Sequence, residues 1–122
     1  FLNSFLKFFG LKNSQISADI IIGDNEQGIK TVGQNQYAIA YVSVGAAEYN
    51  ASVGSPLKLL KFKGVDATVK NVELGKYPLR RELNLVTKIK PMGEMESFIQ
   101  FVLSKQAQQT IREHYFVPSN TQ

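Results

Sequence analysis

Residues 38–44 read Ala38-Ile39-Ala40-Tyr41-Val42-Ser43-Val44, and only Ser43 interrupts the apolar run. The run has strand length and lacks the alternation of a half-buried strand. Strands that are apolar at almost every position are covered on both faces, as they are in α/β sheets. This stretch sets the expectation of an α/β fold.

Toward the N-terminus the pattern continues. Asp19–Ile22 is a short β-branched run and reads as a buried strand. Gly23-Asp24-Asn25 follows it, and Asp or Asn caps a following helix. That helix is expected over 26–32, ending near Gly33. Lys12–Ser17 is a polar loop. Leu2, Phe5, Leu6 and Phe9 recur at helical spacing, with Gly10 placed to stop the helix.

Toward the C-terminus, 45–50 suits a short turn of helix and 51–56 a loop of small residues. Leu57–Lys63 reads as a strand bearing Lys58, Lys61 and Lys63, residues that suit a sheet edge. Gly64-Val65-Asp66 looks like a turn. Thr68 caps a short helix over 69–74, and Gly75 ends it. Leu79–Ile89 is a long extended segment with Leu79, Leu83, Leu85 and Ile89 on one face, broken by Pro91 and Gly93. Met95, Phe98, Ile99, Val102 and Leu103 repeat at helical spacing. Ser104 caps a last helix over 105–115, packed through Ala107 and Ile111, and 116–118 is extended. Strands alternating with helices, without repeats, predict an α/β architecture, and the fold class expected is α/β with a mixed sheet flanked by helices.

The chain has 122 residues, which suits one domain or one lobe of a larger protein. It has no cysteine, which excludes disulfides, thiolate zinc sites and cysteine nucleophiles. No apolar run approaches the ~20 residues of a membrane span. The chain starts with Phe1 inside a helical pattern and shows no secretory signal, so a fragment or processed product is expected. The net charge is +4. The cations are scattered and the aromatics sit at core spacings, a pattern unlike the interleaved stripe of a nucleic-acid binder.

Motifs for chemistry are incomplete. Ser43-Val44-Gly45 lacks the first glycine of a nucleophile elbow. Gly23–Gly28 has phosphate-loop spacing, but Ile29 stands where the lysine belongs. The single histidine, His114, lies on the last helix and reads as a surface or cap residue. Glu94 and Glu96 flank a helix start, where the dipole favours them. Arg80 and Arg81 point to opposite faces of an extended segment; one faces water and the other could pair with Glu82 or Glu73. Lys58, Lys61 and Lys63 form either a solvated edge or a contact with a membrane partner. The residues from Asp24 to Gly28 occupy a strand-to-helix turn, the usual place for ligands in α/β folds. This makes Asp24, Asn25, Glu26, Gln27 and Gly28 the ligand-cleft candidates, although capping is the first reading of Asp24. No enzyme, metal site or cofactor is expected.

Three ordered stretches resemble a known family. Gln34–Gly45 (QNQYAIAYVSVG) resembles a segment leading into A-I-G-Y-V-S-x-G. Gly64–Pro78 (GVDATVKNVELGKYP), followed by Leu79-Arg80-Arg81, resembles G-V-x-P-T-x-x-N-I-x-x-G-x-Y-P-L-x-R-x-L. Phe98–Pro118 (FIQFVLSKQAQQTIREHYFVP) resembles F-I-x-F-x-L-S-x-x-G-Q-x-I-x-x-x-x-G-Y-x-P. Together they are similar to the phosphate-binding proteins of bacterial ABC phosphate importers, and the middle stretch is the most specific. Ala40 stands where the family has Gly, and Tyr115-Phe116 stands where it usually has Gly-Tyr.

The resemblance implies part of a two-lobed, type II periplasmic-binding-protein-like fold. Residues 1–76 would belong to the second lobe, and 77–122 would supply the return hinge strand and the C-terminal helices of the first. It implies capture of inorganic phosphate in an interlobe cleft and delivery to ABC transporter membrane subunits. The place implied is the periplasm or extracytoplasmic space, with membrane attachment in Gram-positive hosts. The family's R-x-x-S-G-T motif, whose arginine forks onto phosphate, would precede the first helix and matches no residue of this sequence. Association or segment exchange with an N-terminal part is a further expectation. The alternatives are a module for another oxyanion, molybdate or sulfate, and a ligand-free interaction or signalling scaffold.

Overall fold

A computed structural model describes residues 2–119. The chain divides into two compact units, Phe1–Arg81 and Glu82–Gln122. The division falls inside the segment expected to be one long strand.

In the first unit, α1 (Leu2–Phe9) buries Leu6 and closes at Gly10, whose φ of 65° is the left-handed geometry that glycine adopts without a Cβ clash. The Leu11 N–H donates back to the Leu6 carbonyl at 2.9 Å, completing the stop. A single 3₁₀ turn covers Asn13–Gln15. Helix α2 (Asn25–Gln34) is capped by Asp24, whose carboxylate accepts from the Gln27 N–H at 2.8 Å. Helix α3 (Val44–Ser52) packs on α2 and on α4 (Val69–Glu73). The Thr68 hydroxyl caps α4 by accepting from the Asn71 N–H at 3.1 Å, as the sequence predicts. Ile29, Ala47, Ala67 and Tyr77 are buried with Leu6.

In the second unit, α5 (Gly93–Leu103) packs on α6 (Lys105–Glu113). Ser104 ends the first and caps the second, accepting from the Ala107 N–H at 3.3 Å. Gln108 is buried: its amide donates to the Val102 carbonyl at 2.8 Å and accepts from the Ser119 N–H at 2.6 Å. That pair of bonds ties Ser119 and the last turn of α5 to α6.

The expected mixed sheet is not seen among the described residues. Among the described residues there is no strand, and the only ladder contact is an antiparallel bridge between Phe62 and Val65. Residues 19–22, 38–43, 57–60 and most of 79–89 have no regular element. The exposures agree: Ile21 is 87% exposed, Ile39 79% and Val86 88%. A strand exists only by exchanging hydrogen bonds with a neighbour. Each of these segments runs instead into a helix or a tight turn. Around the bridge, Phe62 and Val65 exchange N–H···O bonds of 2.9 and 3.0 Å across Lys63 and Gly64. Both central residues have positive φ, 49° and 78°, which is the two-residue hairpin geometry.

Candidate functional site

The candidate turn at 24–28 is well organised, and its polar side chains are already engaged. Beyond the Asp24 cap, the Gln27 side-chain oxygen accepts from the Gly23 N–H at 2.8 Å. Gln27, at the third helical position, thus reaches back one residue beyond the N-cap while its own N–H is held by Asp24. The Asn25 oxygen accepts from the Ser43 N–H at 2.9 Å. The Glu26 carboxylate accepts from the Asn50 amide at 3.3 Å. The turn is thereby clamped onto the start and the last turn of α3.

Gly28 has a packing role. An ideal Cβ there would lie 2.7 Å from Ile22 Cδ1 and 2.9 Å from Val42 Cγ1. The missing side chain lets α2 lie directly on the two extended segments. Residues 20–22 and 38–42 thus meet the same helix without pairing with each other.

The other sequence candidates are placed as follows. Glu94 and Glu96 sit in the first turn of α5, on the side that the helix dipole favours. His114 is the exposed C-cap of α6, and its N–H donates to the Thr110 carbonyl at 3.1 Å. Lys61 pairs with Asp66 at 3.4 Å, and the Lys63 ammonium lies 5.9 Å from the Phe8 ring centre. Arg80 folds over Gly75, where a Cβ would meet Nη1 at 2.9 Å. Among the described residues, no group of His, Asp and Glu side chains could hold a metal ion. No described helix is long and apolar enough to cross a membrane.

An open groove of about 510 Å³ is lined by Val32–Tyr37 and Pro56. None of its lining residues is charged. Burial pushes the Tyr77 phenol above its ordinary value.

One contact escaped the sequence reading. The Glu48 carboxylate of α3 accepts from the Val69 N–H at 2.7 Å, so α4 is capped twice, by its own Thr68 and by a neighbouring helix. Glu48 has no local signature, since its partner lies 21 positions along the chain.

Phosphate-binding protein PstS 2 of Streptococcus agalactiae serotype V is 29% identical over 125 residues, spanning 94% of this chain and 41% of the relative. Phosphate-binding protein PstS 2 of Streptococcus pneumoniae serotype 4 is 32% identical over 105 residues, spanning 84% of this chain and 33% of the relative. The chain therefore spans well under half the length of these relatives. No solved structure matches. The family model described as the PBP superfamily domain matches residues 3–106, and the chain belongs to that superfamily.

Proposed function

We propose that this chain contributes to the substrate-binding component of an ABC phosphate importer, which captures inorganic phosphate in a cleft between two lobes. The supporting observation is the likeness to phosphate-binding relatives along 94% of the chain. The ordered stretches at 34–45, 64–81 and 98–118 point the same way. In this reading 1–76 belong to the second lobe of a type II fold, and 77–122 return through the hinge to the first. In that fold the extended segments 19–22, 38–44, 57–63 and 79–89 are strands of a mixed sheet flanked by helices. The turn Asp24–Gly28 stands beside the cleft. Its side chains hold the turn, and the anion is held by an arginine and by main-chain N–H groups elsewhere. The partners are inorganic phosphate and the transporter's membrane subunits, and the place is outside the cytoplasm. No catalytic step is proposed.

Two titrations test this. The 122-residue chain is titrated calorimetrically with phosphate, sulfate and molybdate. So is a chimera in which the chain replaces its matching segment in the Streptococcus agalactiae relative. The chain alone is expected to give no micromolar signal, and the chimera to bind phosphate in preference to sulfate and molybdate. Micromolar phosphate binding by the chain alone would refute the division of labour. A folded chimera that prefers molybdate or sulfate would move the assignment to another oxyanion. A folded chimera that ignores all three would favour an interaction scaffold.

A further inference from the structure

We propose that the aromatic patch formed by Phe8, Phe9 and Phe62, with Lys63 standing over it, is a docking face for an anionic lipid surface. The three rings meet edge to face, with centres 5.3 Å (Phe8–Phe9), 5.1 Å (Phe8–Phe62) and 5.6 Å (Phe9–Phe62) apart. Such a cluster belongs in a core, yet Phe8 is 37% exposed and Phe9 42%. The two segments that build it carry charge of one sign. Residues 2–16 contain Lys7 and Lys12 and no acid, and residues 57–65 contain Lys58, Lys61 and Lys63 and no acid. The nearest acid along the hairpin, Asp66, is matched by Lys61. Lys63, at the hairpin tip, stands over both Phe8 and Phe62 at 5.9 and 6.0 Å.

The charge selects the occupant. A second copy would bring the same lysines against these and repel them. An apolar protein surface would leave the ammonium groups without partners. A bilayer carrying anionic headgroups satisfies both halves at once. Rings settle at the boundary between headgroups and acyl chains, and lysines reach lipid phosphates. This face involves none of the 24–28 turn, so it stands or falls separately from the phosphate reading.

The test is flotation of the 122-residue chain with vesicles of equimolar phosphatidylglycerol and phosphatidylcholine, and with phosphatidylcholine alone. Binding is expected only to the anionic vesicles, and it should weaken as salt is raised. Lys63→Asn suits the hairpin, because Asn-Gly is the preferred pair for that turn. It removes one charge and should lower the partition coefficient about fivefold. Phe8→Ala should lower it about tenfold. Its circular dichroism is compared with that of the parent so that unfolding is not read as lost binding. Three results would overturn the proposal: equal binding to both vesicles, unchanged partition of folded Lys63→Asn, or no vesicle binding. Binding to a single-stranded oligonucleotide in place of vesicles, or dimerisation abolished by Phe8→Ala, would assign the patch to those partners.

Discussion

Replacing Gly28 by alanine sets two effects of known size against each other. Glycine inside a helix is disfavoured relative to alanine by about 1 kcal/mol, so propensity alone makes Gly28→Ala stabilising. The new methyl, however, would sit 2.7 Å from Ile22 Cδ1 and 2.9 Å from Val42 Cγ1. Ile22 can swing its terminal carbon aside. Val42 is branched at Cβ and has little χ1 freedom, so relief requires the extended segment itself to move. Overpacking of this kind costs about 1–3 kcal/mol. The net expectation is destabilisation of about 1 kcal/mol. Gly33, on the same helix, provides the control. An alanine methyl there meets only Pro56 carbons at 3.7 Å, an ordinary contact, so Gly33→Ala should be neutral or stabilising by up to about 1 kcal/mol. Urea unfolding followed by far-ultraviolet circular dichroism reads both. With a slope of about 2 kcal/mol per molar, Gly28→Ala should lower the midpoint by roughly 0.5 M. A Gly28→Ala midpoint at or above the parent's would refute the close-packing argument. So would a Gly28→Ala, Val42→Ala double variant in which the two costs simply add, since contacting residues should couple.

Three further outcomes follow from particular contacts. Glu48→Ala should cost about 1–2 kcal/mol by leaving the part-buried Val69 N–H without its acceptor. Combining it with Thr68→Ala should be non-additive in urea unfolding, because both groups serve the first turn of α4. Gln108→Ala should cost about 2 kcal/mol, and hydrogen exchange at the Ser119 amide should accelerate because its acceptor is gone. The raised Tyr77 phenol means that the folded state favours the neutral form. The stability it contributes is fully present below the ordinary phenol value near 10 and is lost as pH rises through the higher folded value. Thermal midpoints measured upward from pH 9 should therefore fall less steeply in Tyr77→Phe than in the parent.

What was legible in the sequence was local. The spacing of Leu2, Phe5, Leu6 and Phe9 with Gly10 yields α1, and Asp24, Thr68 and Ser104 cap the helices that follow them. A cap needs only a side chain three positions from its N–H, so the sequence contains the whole interaction. Strand pairing is different. The apolar run at 38–44 expresses a preference for a covered environment, but a sheet also needs neighbours in register. The candidate turn divides the same way. The Asp24 cap was readable, whereas the Asn25–Ser43 and Glu26–Asn50 bonds join positions 18 and 24 apart. Tyr115 shows a third limit. It ends α6 at a φ of 62°, where the family pattern has glycine, a cost that composition and periodicity do not reveal.

The engagement of the 24–28 turn constrains how an anion could be held. Asp24, Asn25, Glu26 and Gln27 each accept a hydrogen bond from this chain's own backbone or side chains. Two of the four are carboxylates, which repel phosphate, and none is a cation. The Asn25 and Glu26 bonds seat α2 on α3, so losing either would loosen that packing. Under the proposed function the turn is a fixed wall of the cleft, and the anion is held by donors elsewhere. Point substitutions at 24–28 should then act on anion affinity through the stability of α2, alongside the shift in the urea midpoint. A lost direct contact would instead change affinity with the midpoint unmoved.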